Sequence, residues 1–355
     1  MNRRQALRAM AGVGAATALL KSAQLPAAEI PRKTSVGVVI YCFGLRQRAE
    51  KRRDPQADLF EPLTFLEHCR QLGAGGIQLP LGVRDADYAA KLRRQAKQYG
   101  MYIEAIANPP RDQAAVERFE AEVLTASRVG ACALRATTMP GRRYETFDSP
   151  EQFRQAVEQA RKSLELAAPV LKRHRVRLAV ENHKDQRVAE RVELLRHISS
   201  EWIGACVDLG NNLALLEDPV EVIEALAPWA FSVHLKDHAV REYADGFLLA
   251  DVPLGQGCLE VKKMVATLRK AKPDVRFGLE LITRDPLKVP CLTEKYWATF
   301  GDVPGRDLAR TLRLVRRCQA STLPEVGSLP LDEQVAREAF NVTSSLTYAR
   351  EQLGL

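Results

Sequence analysis

The sequence predicts a (β/α)8 barrel with a C-terminal helical extension, on three observations. Between residues 35 and 320, apolar strand-like runs alternate with helical patterns eight times, and strict βα alternation implies parallel strands joined by helical crossovers. In the second half, four of those runs end in a residue able to bind a divalent metal: Glu181 in VRLAVENH, Asp208 in GACVDLGNN, His234 in FSVHLKDH and Glu280 in RFGLELIT. A buried parallel strand reads as a continuous Val/Ile/Leu-rich run, so a charged residue at its carboxyl end implies that the end opens into a site. Finally, no Gly-rich dinucleotide loop follows the first strand, which argues against an open doubly wound sheet.

The elements follow in order. Strands are expected at Ser35 to Phe43, Gly76 to Leu81, Tyr102 to Ala107, Ala131 to Thr137 and from Val176 to the Glu181 end. Helices alternate with them at Leu63 to Leu72, Tyr88 to Tyr99, Ala114 to Arg128 and Pro150 to Arg173, the last with a Ser149-Pro150 start. The remaining strand ends alternate with helices at Arg187 to Ile198, Pro219 to Leu226, Glu260 to Lys270 and Arg306 to Gln319. The extension, residues 321 to 355, carries a helical pattern from Leu331 to Phe340 and another near its end. It is expected to pack on the barrel or on a neighbouring subunit of a homo-oligomer.

The first residues differ in kind. Arg3-Arg4 with Leu7 leads into the small, weakly apolar stretch Ala9 to Leu20 and then a small-residue segment ending near Ala28. Residues 1 to 28 look like a twin-arginine export signal, which places the mature protein in the periplasm or otherwise outside the cytoplasm; an amphipathic N-terminal helix is the alternative. Of the net charge of +8, this segment's Arg3, Arg4, Arg8 and Lys21 supply four. The balance is too small to argue for a nucleic-acid partner, and clusters such as Arg46 to Arg53 read as solvated faces or loop ends.

No run after the N-terminus is long and apolar enough to span a bilayer. The seven cysteines are scattered and never in a CxxC pair, which excludes a zinc-finger or redox motif. Cys42, Cys132 and Cys206 fall in strand-like runs, where a free thiol behaves as a small buried hydrophobe.

In a (β/α)8 barrel the βα loops converge on one mouth at the carboxyl ends of the strands. Adjacent strands lie about 4.8 Å apart, so Glu181, Asp208, His234 and Glu280 can converge on one ion. Three carboxylates and an imidazole form a hard, oxygen-rich set, favouring one divalent ion: Mn2+ first, then Mg2+ or Co2+, with Zn2+ as a further alternative.

With those residues goes a resemblance. Val180-Glu181-Asn182-His183, Val207-Asp208-Leu209-Gly210-Asn211, His234-Leu235-Lys236-Asp237, the Gly255-Gln256-Gly257 loop and Leu279-Glu280 together resemble the xylose isomerase-like sugar isomerases and epimerases, over about residues 35 to 320. The resemblance implies that Glu181, Asp208, His234 and Glu280 hold one divalent ion, and that the two glutamates flank a small carbohydrate substrate and move protons. Such an ion stabilises an enediolate, so a carbon-bound proton becomes removable by a carboxylate. Return of the proton to the opposite face gives epimerisation; return to the adjacent carbon gives aldose-ketose isomerisation.

Around this set, His183 offers a hydrogen bond to a substrate hydroxyl or a structural polar contact. Lys236 and Asp237 support the site or pair with each other, and His238 reads as a loop residue. Arg135, at the end of strand four, binds a substrate oxygen or neutralises the carboxylates, with a core salt bridge as the plain alternative. Two positions depart from the family pattern: Asn211 stands where ketose epimerases commonly have histidine, leaving it a substrate-binding candidate, and Gln78 stands where an acidic residue is common.

The same proton abstraction can instead begin a β-elimination, making a lyase or dehydratase on a keto-sugar or 3-keto-glycoside. A non-catalytic sugar-binding protein is a further alternative. Endonuclease chemistry at abasic DNA, which shares this barrel, needs three zinc ions and many strand-end histidines, and the chain has six His in total.

Overall fold

In a computed structural model, residues 33–355 are described; the segment read as an export signal lies outside them. The chain runs β1 (Gly37–Val39), α1 (Gly44–Arg53), α2 (Pro62–Gln71), β2 (Gly76–Leu79), α3 (Ala86–Tyr99), β3 (Tyr102–Ile106), α4 (Val116–Val129), β4 (Leu134–Ala136), α5 (Arg143–Thr146), α6 (Pro150–His174) and β5 (Leu178–Glu181). It continues through α7 (Val188–Ile198), β6 (Ile203–Asp208), α8 (Pro219–Leu226), β7 (Ala230–Leu235), β8 (His238–Tyr243), β9 (Gly246–Asp251), α9 (Val261–Ala271), β10 (Phe277–Leu279), β11 (Leu287–Val289), α10 (Glu294–Trp297), α11 (Gly305–Arg317) and α12 (Leu331–Gln352).

Eight parallel strands close into a barrel in the order β1-β10-β7-β6-β5-β4-β3-β2, so β10 is the eighth barrel strand. The expected (β/α)8 architecture is therefore present, with a helix at the C-terminus. Helix starts obey local chemistry. The Ser149 hydroxyl accepts from the Gln152 amide ahead of Pro150, and the Asp218 carboxylate accepts from Val220 and Glu221 ahead of Pro219. The apolar faces of these helices and the outward side chains of the strands form one continuous core that includes Ile77, Leu134, Leu164, Leu178, Val233 and Leu268. No helix among the described residues is long and apolar enough to cross a membrane.

Several expectations need correction. The first strand is shorter than read: after Val39 the chain enters a 3-10 turn, Ile40–Phe43, and then α1, within what had looked like a solvated charge cluster. That helix is held from a distance, because the Glu338 carboxylate on α12 accepts from the Leu45 and Arg46 amides at 2.8 and 2.9 Å. The extension is one continuous helix rather than two, and Leu355 is tied to the segment leading into β1 by Thr34 Oγ1 donating to the Leu355 carbonyl at 2.8 Å.

Between β7 and α9 the chain adds a hairpin, β8 and β9, which β11 extends into a three-stranded antiparallel sheet. His238 is therefore a buried strand residue and not part of a loop. Cys132 is exposed, not buried. All seven cysteines are free thiols.

Candidate metal centre

Period-two geometry sets the site on β7. Ser232, His234 and Lys236 point to the same side at successive depths, and each meets different partners. Ser232 donates to Glu104 Oε2 at 2.8 Å, deep in the barrel. His234 lies one level higher, hydrogen-bonded to Gln78. Lys236 reaches the mouth, with Nζ 3.0 Å from Asp208 Oδ2 and 2.8 Å from Glu280 Oε2. It does not pair with Asp237.

The four strand-end residues come together. One ligand atom from each of Glu181, Asp208, His234 and Glu280 lies within 4.8 Å of the others, and all four residues are buried. His234 Nδ1 stands 3.5 Å from Glu280 Oε2 and 3.8 Å from Glu181 Oε1 and has no hydrogen-bond partner.

Its other nitrogen explains the orientation. The Gln78 amide nitrogen donates to Glu104 Oε2 at 2.8 Å, which fixes its oxygen, Oε1, 2.9 Å from His234 Nε2. Nε2 therefore carries a proton and Nδ1 is the nitrogen turned to the carboxylates; burial alone would lower the imidazole, but Cys206, Glu280 and Glu181 outweigh it and hold the ring well above its ordinary value. A buried ring nitrogen without a hydrogen-bond partner, facing three carboxylates that favour positive charge there, fits a divalent cation in place of a proton.

The carboxylates are individually compensated. Burial by itself would push the Glu181 carboxyl up, but the Arg135 guanidinium, in direct contact with Glu181 Oε2, outweighs it and holds the group well below the usual carboxylate range. For Glu280, burial is likewise outweighed, by Lys236, and the carboxyl again lies well below its ordinary value. Asp208 is oriented by its backbone surroundings: Oδ1 accepts from the Gly210 and Asn211 amides at 3.0 and 2.8 Å. Its own amide donates to Asn182 Oδ1 at 2.8 Å, while Asn182 Nδ2 donates to the Asp208 carbonyl at 3.0 Å. This two-way bond ties the ends of β5 and β6 together.

The outer candidates divide. Arg135 neutralises the cluster and lies over the Tyr41 ring, 5.7 Å from its centroid. Asn211 is engaged on both sides: Nδ2 donates to Glu181 Oε1 at 3.0 Å and Oδ1 accepts from the Lys184 ammonium. His183 Nδ1 lies 3.2 Å from the Gly141 carbonyl, a structural contact to the loop after β4. Asp237 turns away from the cluster into the Gly255-Gln256-Gly257 loop, where its two oxygens accept from the His238, Gly255, Gly257 and Leu259 amides at 2.9 to 3.1 Å. A Cβ on Gly257 would lie 2.1 Å from Asp237 Oδ1, and Gly255 combines φ +82° with a Tyr348 ring 2.1 Å from any added Cβ, so both positions demand glycine.

Sequence reading missed three contributors. Glu104 was legible in principle, as a charged residue inside the buried strand β3. Gln78 registered as a departure from a pattern and not as the partner of His234. Lys184 gave no signal, because its importance rests on which groups surround it.

Comparison with known proteins agrees with this architecture. The family model described as xylose isomerase-like TIM barrel matches residues 66–317. A 3-oxo-isoapionate decarboxylase of Pectobacterium atrosepticum is 25% identical over 218 residues, covering 58% of this chain and 72% of that protein. Among solved structures, a D-psicose 3-epimerase determined in the presence of D-fructose superposes with a TM-score of 0.57 at 12% identity, over 91% of this chain and 100% of that one. A xylose isomerase-like TIM barrel protein of Mycobacterium smegmatis in complex with magnesium gives 0.50 at 15% identity, over 80% and 97%. Relatives within this superfamily are enzymes of several kinds, epimerase and decarboxylase among them. Since the family model spans most of the barrel whose mouth gathers these four residues, the chain belongs to the xylose isomerase-like TIM barrel family.

Proposed function

We propose that this protein is a divalent-metal-dependent isomerase or epimerase of a carbohydrate or related polyol ketone, working outside the cytoplasm after twin-arginine export. The observation that carries the reading is the pair of glutamates at the ligand cluster, each kept ionised by its own cation, Glu181 by Arg135 and Glu280 by Lys236. Glu181, Asp208, His234 and Glu280 would hold the ion, with Mn2+ the first choice on donor hardness and Mg2+, Co2+ or Zn2+ behind it. When bound, the ion supplies a Lewis acid for negative charge on adjacent substrate oxygens.

The protein's own groups perform the transfer. One glutamate takes a proton from a carbon next to the substrate carbonyl, and the other returns one to the opposite face or to the neighbouring carbon. As Glu181 becomes neutral, Arg135 is freed from its partner and can face a negatively charged substrate oxygen. Asn211 keeps Glu181 Oε1 in place throughout.

A second reading is a lyase acting by β-elimination on a keto-sugar or 3-keto-glycoside; the relative named as a decarboxylase is also a lyase, one that breaks a carbon–carbon bond. The two part company in D2O. Mn2+-loaded protein is incubated with ketoses and 3-keto-glycosides: deuterium at carbon in an intact sugar supports isomerisation or epimerisation. Release of water, carbon dioxide or an aglycone without such a product sinks that reading in favour of the lyase.

A further inference from the structure

Lys184 is a buried cation without an anionic partner. It follows β5 by three residues, is 2% exposed, and its ammonium donates to one neutral acceptor, Asn211 Oδ1; no carboxylate pairs with it among the described residues. Burial, then the neighbouring Lys236 ammonium, bring it down to about 8, so it still carries its proton at pH 7. Arg135 and Lys236, by contrast, each contact carboxylates of the cluster. Burying an ammonium against a neutral amide is unfavourable, and charge-assisted pairing is what ordinarily compensates it.

Lys184 is also close to the chemistry. Its ammonium is two hydrogen bonds from Glu181, through Asn211, which at ordinary bond lengths is roughly 6 to 7 Å. Arg135, Lys236 and Lys184 stand against Glu181, Asp208, Glu280 and the neighbouring buried Asp251, so a divalent ion would still leave an excess of positive charge that a neutral sugar cannot offset.

We propose that the substrate is a keto-sugar acid and that Lys184 receives its carboxylate while the neighbouring carbonyl and hydroxyl oxygens face the ligand cluster. The proposal rests on the metal-centre reading and narrows it to a substrate class. A carboxylate suits this place better than a phosphate. One ammonium beside one amide matches a single charge, whereas a phosphate carries nearly two and calls for several converging N–H donors.

The test uses the full mature chain. Mn2+ titration comes first, on wild type, Lys184→Met and Lys184→Arg. Each Mn2+-loaded protein is then titrated with 2-oxo-D-gluconate, D-fructose and D-fructose 6-phosphate; the first two differ only in a C1 carboxylate against a hydroxymethyl group. The expected result is Mn2+ binding within about twofold in all three proteins and wild-type preference for the acid over D-fructose by about tenfold or more, as for a charge-assisted hydrogen bond. Lys184→Met abolishes that preference and Lys184→Arg retains it.

Equal binding of acid and ketose, failure of the acid to bind, tighter binding of the phosphate, or an intact preference in Lys184→Met overturns the proposal while leaving the metal centre standing. Failure of wild type to bind Mn2+ removes the metal-centre reading, and this proposal with it.

Discussion

The Gln78 side-chain oxygen lies 2.9 Å from His234 Nε2, and the same amide donates to Glu104, so a neutral residue three strands away around the barrel decides which histidine nitrogen faces the carboxylates. Replacing Gln78 with leucine leaves Nε2–H without an acceptor and frees the ring to change tautomer or rotate. Metal affinity, measured by titration of apo protein with Mn2+, should fall by about 10- to 100-fold, the usual cost of losing such a partner. An unchanged affinity would show that His234 needs no fixed tautomer.

Lys236 stands between two of the four ligands, and its ammonium offsets the charge an ion would offset. The variant Lys236→Met should therefore bind Mn2+ more tightly, by about tenfold, since one competing positive charge is gone. Turnover should drop in the same variant, because Glu280 loses the cation that keeps it ionised. Weaker Mn2+ binding would mean that Lys236 organises the ligands instead of competing with the ion.

Asp237 carries four backbone amides of the 238–259 segment on two oxygens. Asp237→Ala strips them all at once and should cost about 3 kcal/mol in unfolding free energy, read from denaturant melts. Gly257→Ala should give a loss in the same direction, since its new Cβ collides with Asp237 Oδ1. A neutral outcome for both would remove Asp237 as the anchor of this loop.

Glu338 links pH to stability. Burial pushes its carboxyl up from 4.5 to about 7, against the opposing pull of the Leu45 and Arg46 amides. The folded protein therefore binds that proton more tightly than the unfolded chain, so the contribution is full below about 4.5 and is lost as pH rises through about 7. Compared with Glu338→Gln, the wild type should lose roughly 2 kcal/mol between pH 5 and pH 8. Parallel stability curves for the two proteins across that range would refute the assignment.

The alternation of apolar runs and helical patterns, together with Glu181, Asp208, His234 and Glu280 at four run ends, specified the barrel and the four side chains that gather at its mouth. Both are local signals: a buried parallel strand must be apolar throughout, so charge at its end marks the mouth. What lay beyond reach depended on contacts distant in sequence. The segment Gly44–Arg53 reads as a charge cluster and becomes a helix partly because Glu338 satisfies its first amides from α12. The β8–β9 hairpin is completed by β11, some forty residues further on. Gln78 and Lys184 acquire their meaning from His234 and Asn211, which the closing of the barrel brings to them. Strand and helix periodicity is written into neighbouring residues, whereas tautomer, charge pairing and the lack of a carboxylate in contact with Lys184 among the described residues are properties of the packed interior, and only the tertiary structure decided them.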